Sequence, residues 1–363
     1  MVPQEFKESL SAEAAAAAIA RGVRAAQPTW AIDELPMSDG GPGFVAALAR
    51  ATAGELRRVA TRDALGRPRK AEVLHIADTG TAVIEAAMAN SLAQIAPGER
   101  EPLRASTEGV GDLLAAAFAG EPRHIIIGVG GSATSDGGSG MARALGARLR
   151  DGGGRDLAPG AAPLAELERI DWERPPTVAE AEVLIATDVT NPLVGPQGAA
   201  AVFGPQKGAS PADVEEIEAA LQRYANVVHR SLGIEIAGIA GGGAAGGLAA
   251  GLVAFLGGRI VSGFEVVAQA TALADRLQRA DIVITGEGTF DTQSRQGKTT
   301  GRLLDLAAEA GKPCVVLVGH ATGATGDEVH ALSTLEPDTA TCLRNAAPLL
   351  EQLAARWAGS VRG

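Results

Sequence analysis

Residues 124–138 read His124-Ile-Ile-Ile-Gly-Val-Gly-Gly-Ser-Ala-Thr-Ser-Asp-Gly-Gly138, and this stretch carries the pattern on which the chain is built. The β-branched run from His124 to Val129 predicts a buried strand, and the glycines after it predict a loop that carries one acid. A helix is expected over Gly140 to Leu149. Strand, glycine loop and helix recur in this order at least four times, which is typical of an α/β fold with mostly parallel strands.

A second glycine-rich loop, Asp188-Val-Thr-Asn-Pro-Leu-Val-Gly-Pro-Gln-Gly-Ala-Ala-Ala-Val-Phe-Gly-Pro-Gln-Lys-Gly208, follows a predicted strand over Val183 to Ala186. It holds a carboxylate at the strand exit, an amide at Asn191 and an amine at Lys207. Because ligands of α/β proteins bind beyond the carboxyl ends of strands, these groups suit a phosphorylated or carboxylated small molecule. The alternative is an ordinary surface loop with Asn-Pro and Gly-Pro turns.

An acid among glycines follows a predicted strand in four places: Asp39, Asp136, Asp188 and the pair Glu287 and Asp291. Glycine lets backbone N–H groups converge on an anion, and a nearby carboxylate can hold Mg²⁺ or accept a hydroxyl proton. Phosphoryl transfer needs this combination, because its catalysis rests on positioning and charge neutralisation. Each acid taken alone also fits a turn-forming residue, but the recurrence favours the functional interpretation.

The scarce lysines lie near the same loops. Lys7, Lys207 and Lys298 are in or beside segments rich in glycine or serine, whereas most other positive charges are arginines. Lys298 precedes a predicted helix start, where phosphate binds well. Gly297-Lys-Thr299 is not a P-loop, because the first glycine of that motif would fall at Thr292. Solvated surface lysines are the alternative.

Residues Gly128 to Ala133 fit a variant of the dinucleotide-binding fingerprint, so an NAD-dependent dehydrogenase is one alternative. Two features weigh against it. The loop continues through Thr-Ser-Asp-Gly-Gly before any helix, and no acid ends a strand about 20 residues later, where that fingerprint requires one.

Composition excludes several classes of protein. The chain has 363 residues, enough for two domains, with 46% apolar residues and a formal net charge of −11. It has no basic stripe for nucleic acid, and its five histidines lack zinc-ligand spacing. The uncharged run 236–258 contains nine glycines, so we expect a glycine loop and a buried helix, with no membrane span. The isolated Cys314 and Cys342 are typical of reduced thiols in a cytoplasmic protein.

Read together, these segments resemble the type I glycerate kinases. The stretches that carry the resemblance follow the family's order along almost the whole chain: Phe6–Ala12, Pro36–Gly41, Gly128–Gly138, Asp188–Gly208, Gly243–Gly247, Ile284–Asp291 and Gly297–Lys298. The resemblance implies an enzyme that uses ATP and Mg²⁺ to phosphorylate D-glycerate, with 2-phosphoglycerate as the expected product and 3-phosphoglycerate as the alternative. D-Glycerate and ATP are then its partners, and the sequence leaves a homodimer open.

The resemblance also implies two α/β domains with mostly parallel sheets and an active site in the cleft between them. The first domain would be discontinuous and doubly wound, made of residues 1–66 and 286–363. Residues 67–285 would form the inserted second domain, which carries the glycine-rich loops.

Within such an enzyme, chemistry assigns roles to the loop residues. Asp188 and Asp291 are the first candidates for base or metal contact and are assigned as catalytic, and Asp39 and Asp136 come next, assigned as metal ligands. The sequence leaves open which of these acids is the base and which binds metal. Contacts to substrate or phosphate are expected from polar side chains and glycine N–H groups of the loops: Lys7, Gly130, Gly131, Ser132, Asn191, Lys207, Gly286, Gly288 and Lys298.

The chain departs from the family pattern near its beginning. Residues Met1 to Glu5 are expected to be too short and too polar for the family's first strand, and a mis-set start codon would explain the lost strand but not Gln4 or Glu8. Gln4 replaces an aspartate of the family, Glu8 replaces a glycine, and Pro42 replaces an acid. These changes keep a non-catalytic paralogue that binds a small acid as an alternative.

Overall fold

The computed structural model describes residues 1–291, 294, 299–322, 326 and 328–361. They form two compact units, each with its own mostly parallel sheet and flanking helices, which confirms the predicted α/β class. Unit 1 comprises Met1–Ser38, Ala46–Ala51 and Phe264–Gly363, and unit 2 comprises Asp39–Val45 and Thr52–Gly263. No helix among the described residues is long and apolar enough to cross a membrane.

The described residues contain twelve strands: β1 (Val2–Pro3), β2 (Glu55–Arg62), β3 (Pro68–Ile76), β4 (Thr81–Glu85), β5 (His124–Gly128), β6 (Arg148–Arg150), β7 (Arg169–Asp171), β8 (Glu182–Ala186), β9 (Arg259–Val261), β10 (Val283–Phe290), β11 (Cys314–Ala321) and β12 (Val329–Ala331). The same residues contain fourteen α-helices: α1 (Ala12–Ala26), α2 (Phe44–Ala51), α3 (Ala87–Asn90), α4 (Glu108–Phe118), α5 (Ser139–Ala144), α6 (Pro176–Ala179), α7 (Ala199–Phe203), α8 (Pro211–Leu232), α9 (Leu248–Leu256), α10 (Gly263–Ala270), α11 (Leu273–Arg279), α12 (Thr299–Glu309), α13 (Thr339–Arg344) and α14 (Ala346–Ser360).

Unit 2 is built on a six-stranded sheet in the order β2-β3-β4-β5-β8-β9. β3 is antiparallel to both of its neighbours, whereas β4, β5, β8 and β9 are parallel. The predicted strands over 124–129 and 183–186 appear as β5 and β8. The four parallel strands end at Glu85, Gly128, Ala186 and Val261, which places these residues along one edge of the sheet, here called the carboxyl edge.

Local sequence signals set the helix limits in unit 2. α8 begins with a capping box in which Ser210 Oγ accepts from Asp213 N at 3.2 Å and Asp213 Oδ2 accepts from Ser210 N at 2.8 Å. α5 is shorter than predicted and ends at Ala144. The reason is Gly146, whose φ of 107° is incompatible with a helix, and the chain then enters β6 at Arg148.

Unit 1 holds a four-stranded parallel sheet in the order β1-β10-β11-β12. α1 begins after its predicted N-cap, where Ser11 Oγ accepts from Ala14 N at 3.2 Å. α1 packs on α14, and a Cβ on Gly22 would lie 2.1 Å from the carbonyl oxygen of Glu351. Glycine therefore sets the close approach of these two helices.

The unit boundaries differ from the predicted domain limits after residues 66 and 285. β2 pairs with β3 along its whole length, and this hairpin places residues 52–66 in unit 2. Unit 1 resumes at Phe264, because α11 and the start of β10 belong with the sheet of that unit.

The first residues form more structure than the sequence predicts. Val2 pairs with Thr285 and Pro3 with Gly286, so Met1 to Glu5 does supply a strand, although one of only two residues. The expectation that this segment is too short and too polar to supply a strand was wrong, since Val2 and Pro3 pair with β10 and both are buried. Residues 35–37 run beside β1, because Leu35 N donates to Met1 O at 2.8 Å and Met37 N donates to Pro3 O at 3.0 Å.

A cavity of about 730 Å³ in unit 1 borders β1 and the start of β10, with Trp30, Leu35, Leu273, Ile282 and Ile284 among its walls. We expect that about four β-branched residues added ahead of Met1 will raise the melting temperature (Tm), because they would continue β1 beside residues 280–283, which line the cavity, and bury apolar surface at about 25 cal/mol per Å². Thermal unfolding compares this form with one carrying a Gly-Ser extension of equal length. Equal Tm values would show that the cavity does not accept a strand.

Candidate functional site at the carboxyl edge of unit 2

Glycine loops that approach one another closely cover the carboxyl edge. Gly130 N donates to Gly40 O at 2.9 Å, and a Cβ on Gly130 would lie 2.6 Å from the Cα of Gly41. Gly40 has a φ of 97°, and a Cβ there would lie 2.2 Å from the carbonyl oxygen of Ala186. Only glycine permits these contacts, and they hold residues 39–41 over the ends of β5 and β8.

Two predicted site acids lie at this edge. Asp188 follows β8, is half-buried, and its Oδ1 accepts a hydrogen bond from Ser262 Oγ at 2.6 Å. Asp39 is exposed, and its Oδ1 accepts from Gly41 N at 3.2 Å. A Cβ on Gly263 would lie 2.1 Å from the carbonyl oxygen of Asp39, so Asp39 packs beside the segment that follows β9. The structure thus brings Asp39 and Asp188 to the same end of the sheet.

The Ser132 side chain lies inside unit 2, whereas the backbone before it reaches the surface. Ser132 Oγ accepts from Asn90 Nδ2 at 3.2 Å and from Thr134 N at 3.1 Å, and it shares a hydrogen bond of 2.7 Å with Thr134 Oγ1. Gly131 is exposed with a φ of 73°, and Gly130 is half-buried. Of these predicted contacts, the backbone at Gly130 and Gly131 is the part most accessible to a ligand.

Asp136 is completely buried and ties two helices together. Its Oδ2 accepts from Thr107 N and Thr107 Oγ1, each at 2.9 Å, and from Gly140 N at 3.1 Å. Its Oδ1 accepts from Gly138 N at 3.2 Å, so the carboxylate links the start of α5 to the start of α4. Burial raises the pKa of Asp136, and the four hydrogen bonds oppose that shift. The arrangement supports the turn-forming interpretation, and a metal role for Asp136 stays a prediction.

Lys207 is only 2% exposed, and its ammonium group points into the loop that precedes Asp136. Lys207 Nζ donates to the carbonyl oxygen of Thr134 at 2.5 Å. Desolvation lowers the pKa of Lys207 to about 8, and the charge of Asp136 opposes this shift. The hydroxyl of Tyr224 is buried with no hydrogen-bond partner in the described structure, and burial raises its pKa. Through its bond to Thr134, Lys207 connects the loop at residues 188–208 to the loop at residues 128–138.

Asn191 shapes its own loop. The side-chain Nδ2 of Asn191 donates to Gln197 O at 2.8 Å, and the backbone carbonyl oxygen of Asn191 accepts from Gly243 N at 2.9 Å. Farther along the same glycine run, a Cβ on Gly246 would lie 1.9 Å from the carbonyl oxygen of Thr134. The loops that contain residues 128–138, 188–208 and 241–247 thus form one contiguous cluster of close backbone contacts.

Three predicted phosphate contacts belong to unit 1. Gly286 lies within β10, and a Cβ on it would lie 2.1 Å from the carbonyl oxygen of Leu317. A Cβ on Gly288 would lie 3.1 Å from Lys7 N, so the turn that carries the exposed Lys7 rests on β10. Close packing therefore accounts for glycine at both positions, whether or not a ligand binds there.

Asp291 follows β10, where its Oδ1 accepts from Ser294 N at 2.8 Å. Glu287 is buried within β10. Lys298 lies outside the described residues. Glu8, which replaces a glycine of the family pattern, has a φ of 65°, a conformation that costs about 1 kcal/mol or more for a residue with a side chain.

Sequence reasoning missed three residues that organise this site: Asn90, Thr107 and Ser262. Thr107 stands directly before α4 and Glu108, a pattern that is typical of a helix start and could have identified it. Ser262 and Asn90 have no comparable signal, because their partners Asp188 and Ser132 are 74 and 42 residues away in sequence.

A magnesium ion would be compatible with this edge. Among the described residues, no three His, Cys, Asp or Glu side chains cluster as a metal site. Mg²⁺ in kinase sites is typically bound through one or two carboxylates, with water and substrate phosphates completing the shell. Asp39 and Asp188 supply hard oxygen ligands of that kind at one end of the sheet.

Comparisons with known proteins agree on one family. The model of the Glycerate kinase family matches residues 1–362. A glycerate kinase of Halalkalibacterium halodurans is 43% identical over 320 residues, covering 88% of this chain and 84% of the relative. Glycerate 2-kinase of Escherichia coli is 40% identical over 327 residues, covering 90% of this chain and 86% of the relative.

A solved structure agrees as well. A crystal structure described as a glycerate kinase 2 from Salmonella typhimurium LT2 is similar with a TM-score of 0.78 and 41% sequence identity. The likeness covers 99% of this chain and 96% of that one.

Proposed function

The chain belongs to the glycerate kinase family, and from this membership we propose that it transfers the γ-phosphoryl group of ATP to D-glycerate. The observation that carries the proposal is the identity of about 40% to named glycerate kinases along nearly the whole chain. The E. coli relative, named a glycerate 2-kinase, supports 2-phosphoglycerate as the product.

In the proposed reaction, a glycerate hydroxyl oxygen forms a bond to the γ-phosphorus of ATP while the bond from that phosphorus to the β-phosphate oxygen breaks. The hydroxyl proton passes to a carboxylate, and ADP leaves. We assign this proton to Asp188, because the half-buried carboxylate stands at a strand exit and Ser262 fixes one of its oxygens at 2.6 Å. Asp291 is the second candidate base.

Anion contacts are assigned to the accessible loop groups. Because Gly130 N already donates to Gly40 O, the anion contact at this turn falls on the backbone of the exposed Gly131. Asp39 is exposed in the loop that Gly130 contacts, whereas Asp136 is buried, which makes Asp39 the favoured metal ligand. Mg²⁺, when bound there, would neutralise charge on the ATP phosphates. The remaining assigned contacts, as substrate or phosphate ligands, are Lys7, Ser132, Asn191, Lys207, Gly286, Gly288 and Lys298.

The proposal predicts ADP release when the purified protein is mixed with ATP, Mg²⁺ and D-glycerate. A coupled assay measures ADP, and phosphorus NMR distinguishes 2-phosphoglycerate from 3-phosphoglycerate. Reactions without D-glycerate, or with L-glycerate, are the controls. Glycerate binding without ADP release would support a non-catalytic paralogue, and reduction of NAD by the protein with glycerate would support a dehydrogenase.

A further inference from the structure

A pocket of about 460 Å³ opens in unit 2 where β4 ends beside β3. β3 pairs with β2 from Pro68 to His75, but it pairs with β4 only from Leu74 to Ile76. The first half of β3 therefore extends past the carboxyl edge without a β4 partner. The pocket lies against this open side of β3, and for that reason side chains from both faces of the strand line it.

Three of the lining side chains are cations: Arg58 of β2 and Arg69 and Lys70 of β3. Arg58 Nε lies 3.7 Å from Glu72 Oε1, so its charge has an acidic partner. Arg69 donates through Nη1 to the neutral Gln94 Oε1, and its Nε is buried without a hydrogen-bond partner. Lys70 is exposed, and its side chain forms no hydrogen bond or ion pair with the part of the chain that the structure describes.

The remaining acid of the pocket is held by the protein itself. Glu85, at the end of β4, is buried and accepts from Val45 N at 3.2 Å. Arg69 and Lys70 thus present two positive charges without a carboxylate partner among the described residues, in a chain of net charge −11. Such a local reversal of charge attracts anions, and arginine with lysine is the usual pair of side chains that binds carboxylate or phosphate oxygens.

The pocket also adjoins the carboxyl edge. Pro42 lines it, and the Pro42 ring lies 2.9 Å from where a Cβ on Gly131 would be. Ser91 lines it as well, and Ser91 pairs with Ser132 in an isolated bridge. Pro42 and Ser91 therefore lie both in the wall of the pocket and against residues 131–132, in the loop assigned to phosphate contact.

We propose that Arg69 and Lys70 bind an oxyanion of a reactant in this pocket, either the carboxylate of the organic acid or a phosphate of the nucleotide. This inference rests on the proposed kinase function for the identity of the reactants. Carboxylate and phosphate oxygens both accept charged hydrogen bonds from arginine and lysine. The change in KM for D-glycerate and for ATP distinguishes the two.

The test uses Arg69→Gln, Lys70→Gln and the double variant, with Arg57→Gln as the matched control. Arg57 lies on the neighbouring strand and pairs with Glu55 outside the pocket. We expect the double variant to raise the KM of one reactant roughly tenfold or more, with a smaller change in kcat, because a charge-assisted contact is lost. A rise in the KM of D-glycerate assigns the carboxylate, and a rise in that of ATP assigns the phosphate.

Calorimetric titration of D-glycerate, ATP and inorganic phosphate tests the pocket without turnover, so the result stands even if the kinase proposal fails. Lys70→Gln removes no side-chain hydrogen bond or ion pair among the described residues and keeps the test valid if the double variant unfolds. The proposal is overturned if the variants bind all three molecules as Arg57→Gln does.

Discussion

Replacing Asp188 by asparagine is expected to lower kcat by about 10²-fold or more while leaving Tm nearly unchanged. Asparagine keeps the size of the side chain and can still accept the hydrogen bond from Ser262 Oγ, which is 2.6 Å long in the native protein. It cannot take up the hydroxyl proton or supply a full negative charge to Mg²⁺. Steady-state assays with saturating ATP and D-glycerate measure the effect.

The matched control is Glu216→Gln, which removes one exposed carboxylate on α8, a helix that contributes none of the assigned site residues. It should keep native kcat. Ser262→Ala is expected to have an intermediate effect, because it removes the hydrogen bond to Asp188 Oδ1 without removing the charge of Asp188. Near-native turnover by Asp188→Asn would exclude Asp188 as the base and leave Asp291 as the remaining candidate.

The fold followed from local signals in the sequence. The β-branched runs predicted β5 and β8, and Ser11 and Ser210 marked the starts of α1 and α8, because strand burial and helix capping depend on neighbouring residues. The pairing of Val2 with Thr285 could not be predicted in this way. It depends on a contact between residues 283 positions apart, which local propensity does not describe.

The candidate site was less predictable than the fold, because a polar side chain in a glycine loop can point into the protein or towards solvent. Asp136 and Asp188 both lie in glycine-containing loops that follow a strand, yet Asp136 is buried against Thr107 and two glycine N–H groups, whereas Asp188 stands at the edge with Ser262. Arg69 was overlooked for a different reason. The sequence shows its charge, but only the strand pairing shows that β4 ends short of it.

Replacing Lys207 by methionine is expected to destabilise the protein by about 1–3 kcal/mol, since the carbonyl oxygen of Thr134 would lose a buried donor. The sequence analysis treats Lys207 as a ligand contact, and its burial at 2% exposure gives it a structural role as well. Chemical denaturation at pH 7 measures the loss. Lys312→Met, a half-buried lysine of unit 1, is the control and should change stability little.

The pH dependence of the stability lost in Lys207→Met tests whether desolvation or attraction to Asp136 dominates at the buried Lys207 ammonium group. The pKa of Lys207 is about 8 in the folded protein, below its ordinary value of 10.5, so between these pH values the unfolded chain binds more protons. Native stability relative to Lys207→Met should therefore rise as pH increases from 8 to 10.5, because the cost of burying the ammonium disappears when it loses its proton. Tyr224 stays protonated in this window, since burial raises its pKa. The measurement is the free energy of unfolding of the native protein and of Lys207→Met at a series of pH values from 8 to above 10.5. A difference that stays level up to pH 10.5 and falls above it would show that attraction to Asp136 outweighs desolvation, and that Lys207 is retained as a buried cation.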